Sequence, residues 1–222
     1  MSTQNGNTGE VNPSLSPRRV SDFVSGASLT KATNIEDVWI TSQLYGRLPR
    51  EANISEDLAS LRNIAAMVHT TPVEILTALM QQALILCPAD TAGLSVLHAE
   101  DDRQFFHWDA MAGVLQDKVG GTTPRKFSPC GFTMDQNDTQ LVHKPGRYYH
   151  YFLDVDPQIM EALIVPVLVD RECIGTIWIA AHDPKTHFTL TDVRIMGSLA
   201  SFTGAAISLM NKKQKRTQGV HS

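Results

Sequence analysis

Cysteine is scarce in this sequence. Of 222 residues only Cys87, Cys130 and Cys173 are cysteines, and no two of them stand in a CxxC pair. That excludes a disulfide framework and the paired-cysteine zinc sites, and the thiols are expected to be reduced. An excess of positive charge is also missing: the net charge is −4 and the pI is near 6.0. Nucleic-acid binding through bulk electrostatics is thereby excluded. No secretory leader and no apolar run long enough to cross a bilayer stand out, so a cytoplasmic protein without membrane contact is expected. Gly-x-Ser-x-Gly, a Walker loop and HExxH are absent as well, which removes three common catalytic frameworks.

What is present suits one medium domain with flanking segments, 42% hydrophobic and 19% charged. Residues 1–34 are rich in Ser, Thr, Asn, Gly and Pro and are expected to form a disordered arm. Residues 35–52 read as a short helical lead-in that packs Val38, Trp39 and Leu44 and ends before Pro49. The main domain is expected over 53–211 and a basic polar tail over 212–222.

Within the domain, a helix opens at Asn53 or Ser55, with Leu58, Leu61, Ile64, Ala65 and Val68 at spacings of three and four. Thr71-Pro72-Val73-Glu74 is a capping box with proline at the first helical position, and Leu76, Leu79, Met80, Ala83 and Leu84 form the stripe behind it. Residues 92–99 and 104–112 read as a hairpin around Glu100, Asp101, Asp102 and Arg103. From 113 to 160 the chain breaks at Gly120-Gly121, at Ser128-Pro129-Cys130-Gly131 and at Lys144-Pro145-Gly146. A short helix and one or two short strands fit between the breaks, one strand at 139–143; a stretch this irregular is usually functional or mobile.

Two further strands, 161–170 and 172–183, meet at Asp170-Arg171-Glu172, and Pro166 demands an edge or a bulge in the first of them. Thr189 then caps a last helix, with Asp192 at N3 and Phe188 and Val193 placed as a hydrophobic staple. Ile195, Leu199, Phe202, Ala206 and Leu209 step by four and three along it, a seam expected to serve as a homodimer interface. Lys212, Lys213, Lys215 and Arg216 close the helix, where cations favour the negative end of its dipole.

From about residue 57 to 209 the chain resembles the GAF modules of bacterial hybrid histidine kinases and, more distantly, phytochrome-type GAF domains. The matching blocks lie at 83–87, 92–96, 106–110, 120–125, 128–131, 161–163, 175–178, 181–183 and 198–199. The resemblance implies an α/β (α+β) fold, an antiparallel sheet of about five or six strands with N- and C-terminal helices on one face. It further implies a non-enzymatic sensory or regulatory role in signal transduction of the two-component kind. Such a module binds a small molecule or responds to redox state, and signals through terminal-helix packing in a homodimer. In the kinases a catalytic core follows the module. Here no phospho-accepting hairpin or ATP-binding domain is seen, so a histidine kinase or another signalling protein is the expected partner.

Cys130 reads first as a small buried thiol, as free cysteines usually are; it also lies in a turn whose backbone N–H groups can lower a thiol pKa, so a thiol reductase centred on it is an alternative reading. The resemblance does not extend to bilin attachment, since Gly131 follows the cysteine where phytochrome-type domains typically have histidine, and no Asp-Ile-Pro motif is present. Sulfoxide-reducing GAF proteins carry several cysteines in the middle loop, against Cys130 alone here. The cyclic-nucleotide signature is also incomplete: Phe188 and Asp192 match its end, but Val193 replaces its glutamate.

The run Tyr148, Tyr149, His150 and Tyr151 pairs apolar bodies with polar tips, as ligand pockets require. With Phe106, Trp108, Cys130 and Trp178 it makes up the expected lining of a ligand cavity of unspecified ligand; aromatics that merely fill the core, in a ligand-free interaction module, are the other reading. His98 with His107, His143 with His150, and His182-Asp183 with His187 lack established ligand spacing, so no metal site is expected.

Overall fold

The structure, a computed structural model, describes residues 34–51 and 71–219. The expected arm and the helix expected at Asn53 or Ser55 lie outside them.

Helix α1 (Pro72–Leu86) starts as its sequence demands. Thr71 accepts from the Glu74 N–H at 3.4 Å, and Glu74 accepts from the Thr71 N–H at 2.7 Å. Strands β1 (Thr91–Glu100) and β2 (Arg103–Gly113) form the first hairpin. After them come β3 (Thr122–Pro124), the short helix α2 (Pro129–Gln136) and β4 (Gln140–His143). The second long hairpin is β5 (Glu161–Val169) and β6 (Glu172–Ala181), and α3 (Leu190–Gly219) closes the domain. Asp170 and Arg171 turn that hairpin with φ of 51° and 70°, the paired left-handed conformations of a type I′ turn.

The sheet is antiparallel throughout, in the order β3-β2-β1-β6-β5-β4. Strand alternation divides it into two faces. Leu94, Leu163, Val165, Ile177 and Ile179 pack against α1 and α3. Phe106, Ala162, Ile164, Trp178 and Ala180 pack on the other side, against the middle segment and the lead-in. Pro166 pairs with Thr176 of β6, while β4 reaches only as far as Ile164. The missing N–H therefore stands where β5 has no outer neighbour strand among the described residues, which meets the edge requirement.

Along α3, Ile195, Met196, Leu199 and Ala200 are buried in the helix-side core, Ala206 is half-buried, and Phe202 and Leu209 are exposed. The expected seam thus splits, because its first two members are consumed by the protein's own core. Gly204 allows the helix to lie this close: a Cβ there would collide with the Leu168 carbonyl of β5. Leu190–Lys212, with mean hydropathy 1.4, is long and apolar enough by composition to span a bilayer. That corrects the expectation of no such run; packing of one side of the helix on the sheet accounts for the buried third of the span, among it Ile195, Met196, Leu199 and Ala200.

The lead-in also departs from expectation. In place of one α-helix it forms two 3-10 segments, Ile35–Asp37 and Thr41–Gly46, around an extended stretch that bonds to β4. Ile40 N–H donates to the Leu141 carbonyl at 2.9 Å, and His143 N–H to the Val38 carbonyl at 2.8 Å. Two arginines fasten the end of the lead-in to the domain. Arg47 meets the buried Glu161 through both oxygens, at 2.7 and 2.9 Å, and Arg50 meets the buried Asp192 at 2.9 Å. Asp192 also accepts from the Thr189 N–H at 2.8 Å, so one carboxylate caps α3 and anchors the lead-in.

Candidate functional site

A cavity of about 90 Å³ lies between the sheet and the middle segment. Its floor is Trp108 and Met111 of β2, Ala162 and Ile164 of β5, and Trp178 and Ala180 of β6. Its roof is Pro129 and Cys130 of α2, Pro145, Phe152, Val155 and Ile159, with Leu115, Lys118, Thr123 and Val142 around the sides. Nearly all of this is apolar. Thr123 carries a buried hydroxyl without a partner among the described residues. Such a group is costly unless a ligand or water satisfies it.

A β-bulge shapes the floor. Leu94 pairs with Ala110 but Ser95 pairs with Trp108, leaving Asp109 as the extra residue of β2. The bulge shifts the alternation by one, so that Trp108 and Met111 both face the cavity while Ala110 and Ala112 face the helices. The Trp108 and Trp178 rings meet edge to face, 6.3 Å apart. Trp178 lies over Gly93, whose lack of a Cβ makes space for the indole.

The expected site residues divide. Trp108, Cys130 and Trp178 line the cavity. Phe106 is fully buried in the same core without reaching the lining. Tyr148, Tyr149 and Tyr151 gather with Phe127 in an aromatic cluster beside the cavity, and His150 is exposed. The physical reason is a helical period inside the run. Residues 150–154 form a 3-10 turn, in which positions three apart align. Tyr149, Phe152 and Val155 therefore share the inward side, and the latter two reach the lining. Their three-residue spacing was the signal to read.

Cys130 sits in the first turn of α2, capped by Ser128, whose hydroxyl accepts from the Gly131 N–H at 3.1 Å. Its thiol is buried against the hydroxyls of Thr176 and Ser95, and burial pushes its pKa above the ordinary 9.0. Cys130 is thus a buried thiol, and the lowering that backbone N–H groups can bring does not prevail, since desolvation of the thiolate outweighs the hydrogen bonds. His182 joins separate elements: its ring nitrogens contact Thr91 Oγ1 at 2.9 Å and the Gln158 carbonyl at 3.0 Å. His98 and His107, for which no metal was expected, come together with Asp109 on the helix-side face of the β1–β2 hairpin.

Residues 71–207 match the GAF domain family. The chain belongs to the GAF family. No curated protein sequence matches it, but solved structures do. A GAF domain of a phosphoenolpyruvate-protein phosphotransferase from Coxiella burnetii superposes with a TM-score of 0.60 at 18% identity, over 74% of this chain and 99% of that one. The Stigmatella aurantiaca phytochrome photosensory core also gives 0.60, at 12% identity, over 78% of this chain and 41% of that one. A type II free methionine-R-sulfoxide reductase from Thermoplasma acidophilum gives 0.51 at 21% identity, over 61% and 92%. At these identities the likeness shows the fold alone. GAF domains are generally signalling and ligand-binding modules, and the cavity of this GAF domain lies between its sheet and its irregular middle segment.

Proposed function

We propose that this GAF domain is a sensor whose cavity takes a compact, mainly apolar molecule and whose occupancy alters the packing of α1 and α3. The observation that carries the reading is the sharing of strands. Ile164 and Val165 are neighbours on β5, one in the cavity wall and the other in the helix-side core. Trp178 stands likewise between Ile177 and Ile179 on β6. A shift of the cavity wall is passed through the same backbone to the residues that hold the helices.

The cavity is small beside the roughly 300–1,000 Å³ of drug-sized sites. A compact ligand with one hydrogen-bonding group, placed for Thr123, matches its lining. Because sensing is a population shift, the ligand must bind one helix arrangement better than the other. The exposed Phe202 and Leu209, with Ala206 between them, are the part of α3 open to a second copy or a signalling partner in the cytoplasm.

The test is native mass spectrometry of the full chain purified from its own host, beside an Ala162→Phe variant that plugs the cavity. A small organic mass is expected on the wild type and none on the variant. A wild-type protein that carries no such mass, and whose melting temperature no small apolar compound raises, overturns the proposal. A reductase centred on Cys130 has less support, because its buried thiol is held in the protonated form and only the thiolate is nucleophilic.

A further inference from the structure

We propose that His98, His107 and Asp109 form a binding site for a first-row divalent transition cation, zinc above all. His107 Nδ1 lies 2.5 Å from Asp109 Oδ1, and His98 Nε2 lies 3.7 Å from the same oxygen. One ligand atom from each of the three residues falls within 4.8 Å of the others. The two imidazole rings are 5.4 Å apart and steeply inclined.

The fold builds this arrangement from residues that look unrelated in sequence. His107 pairs with Val96, and His98 stands two residues further along β1, on the same face. Asp109 is two residues along β2 from His107 and is the unpaired residue of the bulge, a feature that commonly re-aims a side chain. A diagonal pair across two strands is within reach of side chains as long as histidine. Spacing along one chain segment could not reveal a site whose ligands come from two strands.

The donor set decides the chemistry. Two imidazoles and one carboxylate, without a thiolate, suit zinc, nickel, copper or iron(II) rather than calcium or magnesium. Three protein ligands leave a fourth tetrahedral position for water. The three side chains are 45%, 38% and 30% exposed, so that position opens to solvent. The salt-bridge partners of Asp109 among the described residues are the two histidines alone, so no lysine or arginine competes for its carboxylate. The hydrogen bond between His107 Nδ1 and Asp109 Oδ1 occupies the lone pairs that a cation would take; with a cation at Nδ1 the imidazole keeps its single proton on Nε2, the other neutral tautomer. Trp108, between His107 and Asp109, lines the cavity on the opposite face of the sheet. A bound cation would thus brace the back of a cavity wall.

The experiment uses the full chain, stripped with a chelator and titrated with Co²⁺ by visible absorption and with Zn²⁺ by calorimetry. A single equivalent is expected, with nitrogen and oxygen ligation. His98→Gln, His107→Gln and Asp109→Asn should each weaken binding by at least about 10-fold, since loss of a mere outer-shell partner of a ligand already costs that much. Their circular dichroism should match the wild type, and His150→Gln, outside the cluster, should bind as the wild type does. A wild type without saturable binding, or binding that survives both His98→Gln and Asp109→Asn, overturns the proposal.

Discussion

Trp178 donates its indole N–H to Ser95 Oγ at 2.9 Å, and both residues are buried. The bond ties β6 to β1 in the wall of the cavity, and the same serine hydroxyl also faces the Cys130 thiol. Ser95→Ala leaves a buried indole N–H without a partner, and the expected loss is about 1–3 kcal/mol of stability. Denaturant unfolding measures it, and tryptophan emission should shift as the ring loosens. An unchanged midpoint and spectrum would show that the bond contributes nothing.

Gly93 sits beneath the Trp178 ring, and an added Cβ would fall well inside contact distance of its six-membered part. In Gly93→Ala the ring can yield only toward the cavity that it lines. The expected outcome is a loss of about 1–3 kcal/mol, typical of overpacking, together with a smaller cavity. Thermal unfolding and uptake of xenon read the two effects separately. Stability at the wild-type level with undiminished uptake would contradict this packing.

Alkaline pH should weaken the fold. Burial raises the Cys130 thiol above 9.0 and the Tyr151 phenol well above 10.0. Above their ordinary values the unfolded chain gives up these protons and the folded protein keeps them, so unfolding becomes more favourable as pH rises. Their stabilising contribution is complete below about pH 9 and is lost progressively as pH climbs toward the folded-state values. Urea unfolding followed through that range should show the decline. Cys130→Ala should make it shallower, and by the same logic iodoacetamide should label Cys130 far more slowly than an exposed thiol.

The exposed side of α3 predicts self-association. Leu209 is 63% exposed and Phe202 41%. Leu209→Glu should shift the full chain toward monomer in sedimentation velocity without lowering its melting temperature, since that side chain is outside the core. A wild type that stays monomeric at high concentration would assign this face to another partner.

Much of the fold was legible because local rules and tertiary packing agree there. Thr71 with Glu74, the turn at Asp170 and Arg171, and the two strands that meet there each appear in the structure as their patterns require. Legibility failed where a residue's environment is made by distant segments. Arg47 and Glu161 find each other across the whole domain, and nothing local marks Glu161 as a buried charge. The tyrosine run was open to two readings, pocket lining or core filling, and its 3-10 period places Phe152 and Val155, not the polar-tipped neighbours, against the cavity. At Cys130 the sequence left a small buried thiol and a reactive one both open, because a thiol's acidity depends on what covers it, which its flanking residues do not disclose.

Sensing of this kind depends on a connection between the cavity wall and the terminal helices. Methyl NMR of the full chain under xenon pressure tests it most directly, since xenon enters apolar cavities of similar scale. Occupancy should shift Met111, Leu115, Ile159 and Ile164 in the wall and, through β5 and β6, also Ile195 and Leu199 on α3. In Ala162→Phe both sets should stay still. Wall methyls that respond while Ile195 and Leu199 do not, or no response at any of them, would contradict a sensor of this design.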